Sequence, residues 1–176
     1  MSRASWLQKI YWNYLGKPVQ ERALFKVLLE NSISSILEIG VGDGSRMKRI
    51  AQLVQLSPGC EQLRYIGTDE FESASDGLHL SLKQAHQLAS QLGFKASLIP
   101  GDAPAALPRV AHKLGAADLV LVNGGIDLLH PCSGGVGIWL NRVAHDETII
   151  LACQEIGEEL VHVDSRNMEL PSRIAA

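Results

Sequence analysis

The stretch SSILEIGVGDGSRM, residues 34–47, decides the fold, because a strand pattern ends in it and a helical pattern begins. Its apolar run at residues 36–39 is typical of a strand that is buried on both faces of a parallel sheet. Four positions then follow at strict two-residue steps: Glu38, Gly40, Gly42 and Gly44. In open α/β sheets ligands lie beyond the carboxyl end of the first strand, so this turn predicts the floor of a binding site.

Apolar runs and helical patterns alternate along the rest of the chain. Five strands are expected, at residues 36–39, 63–68, 96–99, 118–122 and 148–153. The helical patterns between them cover residues 46–56, 78–92, 103–114 and 138–144. This alternation predicts an α/β fold, with a doubly wound and mostly parallel sheet and helices on both of its faces.

The two ends of the chain differ from this central pattern. Two helical patterns, one ending near residues 16–18 and one over residues 20–30, predict that residues 1–32 form helices packed on the core. Residues 33–176 are then expected to form the ligand-binding part, and the length of 176 residues fits a single domain overall. Only one short strand pattern, at residues 160–163, follows the fifth strand. The C-terminal strands of the sheet are therefore predicted to be abbreviated.

Composition limits the classes of partner. The chain is 46% hydrophobic and 20% charged with a net charge of −3, which provides no basic field for nucleic acid. We find no apolar run of membrane-spanning length, and the three cysteines are far apart and unpaired in pattern. We expect a small-molecule partner, no nucleic acid, no membrane and a reducing cytoplasmic location. The tyrosines and tryptophans of residues 6–14 are expected to pack in the core or to form a contact between copies in a homo-oligomer, with a lid over the substrate as the alternative.

The glycine spacing argues against a dinucleotide. That fingerprint needs glycine at its first, third and sixth positions, but the sixth position is Ser45 when counted from Gly40 and Met47 when counted from Gly42. Glu38 also favours a cationic ligand, because a carboxylate repels phosphate and attracts an ammonium group. A nicotinamide-dependent oxidoreductase is therefore disfavoured.

The ExGxGxG pattern that begins at Glu38 resembles the first motif of the class I S-adenosylmethionine-dependent methyltransferases. The resemblance implies a Rossmann-like fold in which this turn wraps the methionine half of S-adenosylmethionine. It also implies that Asp69, at the end of the second strand within YIGTDEF, residues 65–71, holds the two ribose hydroxyls. Glu70 is an alternative for the same role, since strand boundaries are uncertain by about two residues.

Two later segments are similar to further landmarks of that family. In LIPGDAPAAL, residues 98–107, the resemblance places Asp102 and Ala103 beside the adenine ring, although Asp102 can equally be a helix N-cap. Phe71 is expected either to flank the adenine or to fill the core. In ADLVLVNGG, residues 117–125, the strand ends near the reacting methyl group, so Asn123 is a candidate for contact with cofactor and substrate, or part of an ordinary Asn-Gly turn.

The catalytic candidates are fewer. His130 lies in a segment that is expected to overhang the methyl group, where a neutral imidazole could accept a proton, although a loop histidine is also commonly just solvated. Asn123 is the other candidate. The fifth strand is not followed by the acidic triad of metal-dependent members, so no metal site is expected. The resemblance implies methyl transfer to a small-molecule acceptor, leaving S-adenosylhomocysteine; the alternative is a non-catalytic module that binds these cofactors as a sensor or a partner subunit.

Overall fold

The computed structural model describes residues 10–56, 62–75, 79–124 and 134–163, and in them the chain forms one six-stranded sheet. The strands are β1 (Ser35–Ile39), β2 (Arg64–Asp69), β3 (Lys95–Pro100), β4 (Leu119–Asn123), β5 (Ile149–Cys153) and β6 (Val161–Val163). Their spatial order is β3-β2-β1-β4-β5-β6. The first five are parallel and β6 runs antiparallel beside β5. This order confirms the Rossmann-like, mostly parallel sheet with a short C-terminal strand.

Helices cover both faces of the sheet. They are α1 (Arg22–Glu30), α2 (Ser45–Val54), α3 (Leu82–Gln91), α4 (Ala103–Lys113) and α5 (Gly134–Val143). Buried side chains of α1, α2 and α3 share one apolar cluster with the sheet, and those of α4 and α5 share the cluster on the opposite face. Burial of both faces explains why the strands appear in the sequence as continuous apolar runs.

Strand β5 ends in a buried cysteine. Cys153, the last residue of β5, is 1% exposed, and its thiol lies 3.7 Å from the carbonyl oxygen of Val122 on β4. A thiol in such a position behaves as a small apolar side chain. The sheet therefore contains a cysteine that solvent does not reach in the folded state.

Two helices begin elsewhere than the periodicity predicts. Residues 79–81 are not helical, and α3 begins at Leu82 because Ser81 is its N-cap. The Ser81 hydroxyl accepts from the amide of Gln84, and the Gln84 side chain accepts from the amide of Ser81, which makes a capping box. By contrast, α5 begins at Gly134, four residues before its predicted start, so the glycines that precede its apolar residues are helical.

The N-terminal segment lies against α1 through one aromatic pair. The ring of Trp12 meets that of Phe25 edge to face, with the centroids 5.2 Å apart. The neighbouring Tyr11 and Tyr14 are 52% and 68% exposed, so they do not fill the core. A contact between copies of the chain through these residues stays a prediction.

Asp118 lies at the amino-terminal ends of β1 and β4, at the opposite end of these strands from the glycine turn. One of its carboxylate oxygens accepts from the backbone amides of Ser34 and Ser35, each at 2.9 Å, and the other lies 3.2 Å from Nε2 of His145. Burial raises the pKa of Asp118, but the hydrogen bonds from Ser34, Ser35 and His145 outweigh it and lower the pKa from 3.8 to about 2. The ionised carboxylate therefore stabilises the fold.

Replacing Asp118 with asparagine should make the protein less stable at neutral pH but hardly at pH 2. The folded-state pKa lies below the ordinary value of 3.8, so the contribution of the carboxylate is complete above that pH and is lost as the pH falls towards 2. We expect a loss of about 1–2 kcal/mol at pH 7 for this partly exposed group. Urea unfolding of both proteins between pH 2 and 7 measures it, with the exposed Asp146→Asn as the control. A difference independent of pH would contradict the assignment.

Candidate functional site

The turn between β1 and α2 has a left-handed backbone at every glycine of the motif. The φ angles are +85° at Gly40, +61° at Gly42 and +73° at Gly44, which L-residues with side chains rarely adopt. A Cβ atom on Gly42 would meet nothing within 4 Å, whereas one on Gly44 would lie 2.6 Å from Leu88 and 2.7 Å from Leu80. Gly44 therefore permits packing of α3 against the turn, and Gly42 leaves open space above the turn for a ligand.

Two adjoining cavities lie at the carboxyl ends of the strands. The first has a volume of about 410 Å³ and is bordered by the ends of β2 and β3 and the start of α4. The second, of about 350 Å³, is bordered by the glycine turn and α2. Gly40, His79 and Asn123 line both cavities. Each volume lies in the usual range for a small-molecule site, and we refer to the two adjoining cavities together as the cleft.

Asp69, the last residue of β2, is fixed by three hydrogen-bond contacts. One carboxylate oxygen accepts from the amide of Gly42 at 2.8 Å. The other accepts from the amide of Phe71 at 2.8 Å and lies 2.5 Å from Nδ1 of His79. The side chain of Asp69 is 1% exposed. Asp69 thus ties the second strand to the glycine turn, and His79 is the one side chain among these three contacts.

Glu70 and Phe71 take different directions after Asp69. Glu70 is exposed and borders the first cavity. Phe71 is 1% exposed within the apolar core, with a φ angle of +51°. Of the two positions expected for Phe71, the structure therefore has the core position.

Asp102 is the N-cap of α4, and its contact with an adenine ring stays a prediction. Its side chain accepts from the amide of Ala105 at 3.0 Å and so caps α4. Asp102 and Ala103, the first residue of that helix, also border the first cavity. The capping bond leaves the second carboxylate oxygen available to a ligand group.

Glu38 is buried within a network of hydrogen bonds. It is 1% exposed, accepts from the hydroxyl of Tyr65 and lies 3.4 Å from the guanidinium of Arg46. Burial raises the pKa of Glu38, and Arg46 and Tyr65 offset part of that effect. The cation beside Glu38 in the structure is therefore Arg46. Contact of Glu38 with a cationic ligand stays a prediction.

Asn123, the last residue of β4, joins the glycine turn to this network. Its Nδ2 donates to the carbonyl oxygen of Gly40 at 2.5 Å and to Glu38 at 3.3 Å, and its Oδ1 accepts from Arg46. A Cβ atom on Gly40 would lie 3.1 Å from Cβ of Asn123, so the two chain segments approach closely. The structure thus places Asn123 in the wall between the two cavities.

The cavity-lining residues that the sequence-based candidates do not include contain four that form ion pairs or charged contacts in the site: Glu21, Arg46, Arg49 and His79. Glu21 is 4% exposed and accepts from Nε of Arg46 at 2.9 Å and from Nε of Arg49 at 2.6 Å. The two arginines lie three residues apart at the start of α2, a spacing that places them on neighbouring helical positions. That spacing is the sequence signal for a pair of arginines on one side of the helix. The sequence does not show whether such a pair faces a binding site or the solvent.

His130 lies outside the described residues. In the described part of the chain, no group of three or more His, Cys, Asp or Glu side chains is arranged to hold a metal ion. No helix of that part is both long and apolar enough to cross a membrane.

No family model and no curated protein matches the sequence. A comparison of the backbone with solved structures finds methyltransferases, three of which are given below. Precorrin-6y C5,15-methyltransferase from Geobacter metallireducens GS-15 is 16% identical, with a TM-score of 0.47, over 74% of this chain and 59% of that one. The plantazolicin methyltransferase BamL, in complex with a triazolic desmethylPZN analog and SAH, is 16% identical, with a TM-score of 0.47, over 84% of this chain and 46% of that one.

The SAM-dependent methyltransferase from Agrobacterium tumefaciens is 10% identical, with a TM-score of 0.46. The match covers 76% of this chain and 44% of that one. This chain therefore spans about half the length of these three solved structures.

Proposed function

We propose that the cleft binds S-adenosylmethionine, with the nucleoside in the first cavity and the amino-acid end in the second. The observation that carries this proposal is the open, left-handed Gly42, whose amide is held by the Asp69 carboxylate at 2.8 Å. This contact places an acidic strand end directly beside a turn without side chains. In the first cavity a cationic sulfonium nucleoside fits better than a pyrophosphate, because three carboxylates, Asp69, Glu70 and Asp102, border that cavity and no arginine or lysine of the described residues does.

The proposed activity is transfer of a methyl group to a small-molecule acceptor. The bound cofactor supplies a methyl group that is already activated by its positive sulfur, so the residues of the chain have mainly to bind, orient and exclude water. Asn123 lies between the cavities, where the two halves of the cofactor would meet. Asp102 and Ala103 border the adenine end in this arrangement, and a role for His130 as a base remains part of the proposal.

Titration calorimetry with S-adenosylmethionine and S-adenosylhomocysteine, using NAD as the control, tests the proposal. We expect micromolar binding of the first two ligands and none of NAD, on protein freed of bound nucleotide. Binding without methyl transfer to any acceptor in a screen would favour the non-catalytic module. Absence of binding would contradict both readings of the cleft.

Asp69→Asn should weaken binding of S-adenosylhomocysteine by about 10- to 100-fold, the range for hydrogen bonds to a charged group. Two backbone amides already fix the Asp69 carboxylate. If a bound ribose displaces His79 from this carboxylate, the carboxylate can accept hydrogen bonds from the ribose hydroxyls. Glu70→Gln is the matched control, and we expect a change below about threefold because an exposed, longer side chain loses more conformational freedom on binding. Calorimetry with thermal unfolding of each variant measures both effects. The reverse ranking would assign the ribose to Glu70.

A further inference from the structure

The guanidinium group of Arg46 is held on one side and open on the other. Its Nε donates to Glu21, and its Nη1 donates to Asn123 and, at 3.4 Å, to Glu38. Its Nη2 has no hydrogen-bond partner among the described residues. The Arg46 side chain is 15% exposed, so it is not sealed inside the protein. Arg46 lines the second cavity. An oriented cationic donor group is therefore available at the wall of this cavity.

Two of the three acidic side chains around the second cavity, Glu21 and Glu38, already face protein cations, and the third, Asp43, is hydrogen-bonded to Ser45. Glu21 is engaged by Arg46 and by two bonds from Arg49, at 2.6 and 2.7 Å. Glu38 is 1% exposed. Asp43 is exposed and accepts from both the amide and the hydroxyl of Ser45.

We propose that Arg46 binds the carboxylate of the ligand's amino-acid end, and that Glu38 orients Arg46 instead of contacting the ligand's ammonium group. This inference rests on the proposed function and reverses the role expected for Glu38 from the sequence. Arg46 is the binding residue, and Glu21, Glu38 and Asn123 are positioning residues. The ligand class is a nucleoside thioether or sulfonium that carries a carboxylate.

The chemistry of the group supports this choice. A guanidinium remains charged at all ordinary pH values and presents its donors in a planar fork that matches a carboxylate. Because three protein acceptors already fix its plane, little conformational freedom is lost when the carboxylate binds. The partial burial of the side chain also strengthens the charge interaction relative to water.

Calorimetry with four ligands tests the inference on the unmodified chain. The ligands are S-adenosylhomocysteine, its decarboxylated analogue with the amine alone, its deaminated analogue with the carboxylate alone, and 5′-methylthioadenosine. We expect the analogue with the carboxylate to bind within about threefold of S-adenosylhomocysteine, and the analogue with the amine to bind roughly 10- to 100-fold more weakly. Equal or better binding of the amine analogue would overturn the inference.

Arg46→Met should abolish this discrimination while leaving the affinity for 5′-methylthioadenosine within about threefold. Lys48→Met is the control, because it removes the same charge from an exposed position of the same helix. If Arg46→Met does not fold, Arg46→Lys retains the charge without the planar fork and should lose part of the discrimination. Discrimination that survives either folded variant at the wild-type level would overturn the inference.

Glu38→Gln distinguishes the two roles of that residue. If Glu38 positions Arg46, its replacement should weaken the binding of the carboxylate-bearing ligands most. A loss confined to the amine-bearing ligands would assign it to the ammonium group instead and overturn the inference. If the unmodified protein binds none of the four ligands, the proposed function itself fails. If it binds S-adenosylhomocysteine without preferring the carboxylate, the inference fails alone.

Discussion

Gly44→Ala is expected to lower the free energy of unfolding by about 1.5–2.5 kcal/mol. The backbone there has a φ angle of +73°, and a Cβ atom would lie 2.6 Å from Leu88 and 2.7 Å from Leu80. The left-handed conformation costs an alanine roughly 1 kcal/mol, and rotation of the two leucine side chains, whose terminal methyl groups are the atoms in the way, adds about 0.5–1.5 kcal/mol. Chemical denaturation monitored by circular dichroism measures the loss.

Gly93→Ala is the matched control for this substitution. Its φ angle is +77°, and a Cβ atom on it would meet nothing within 4 Å. We therefore expect only the backbone cost, roughly 1 kcal/mol. Equal losses in the two variants would show that crowding by α3 does not contribute at Gly44.

Glu21→Ala should be at least as disruptive, with an expected loss of about 3–5 kcal/mol. The carboxylate is 4% exposed and holds Arg46 and Arg49, whose side chains are only 15% and 24% exposed. Its removal leaves two largely buried cations without their shared partner, and the desolvation cost of those cations remains. The same denaturation experiment at neutral pH measures the loss of stability.

Glu30→Ala removes the same charge from an exposed position at the end of α1. A change within about 0.5 kcal/mol is expected there, as for other surface substitutions. A similarly small effect at Glu21 would mean that the two arginines find water or other acceptors once the carboxylate is gone.

The strands were predictable because their burial on both faces leaves a continuous apolar run in the sequence. Each predicted strand agrees with the structure to within one residue at either end, and the glycine turn lies where the pattern places it. The start of α3 was missed although Ser81 and Gln84 have the spacing of a capping box. The apolar periodicity extends back to residue 78, but the capping box at Ser81 sets the start of the helix.

The electrostatics of the site could not be predicted in the same way. Arg46 and Arg49 pair with a glutamate 25 and 28 positions away, and His79 meets an aspartate 10 positions away. Such pairs depend on how separate segments pack, which no periodicity encodes. The motif predicts a ligand contact for Glu38, and the fold additionally gives this carboxylate three protein partners, Arg46, Tyr65 and Asn123, which the motif does not predict.

The buried thiol of Cys153 makes local opening of the fold measurable as a chemical rate. In a background with Cys60 and Cys132 changed to serine, a thiol-reactive dye can reach Cys153 only when the structure packed around the end of β5 opens. The labelling rate then reports how often this opening occurs, and ligand that favours the closed protein slows it in proportion to occupancy. One sulfur atom at the end of β5 thus converts ligand binding into a rate of covalent labelling.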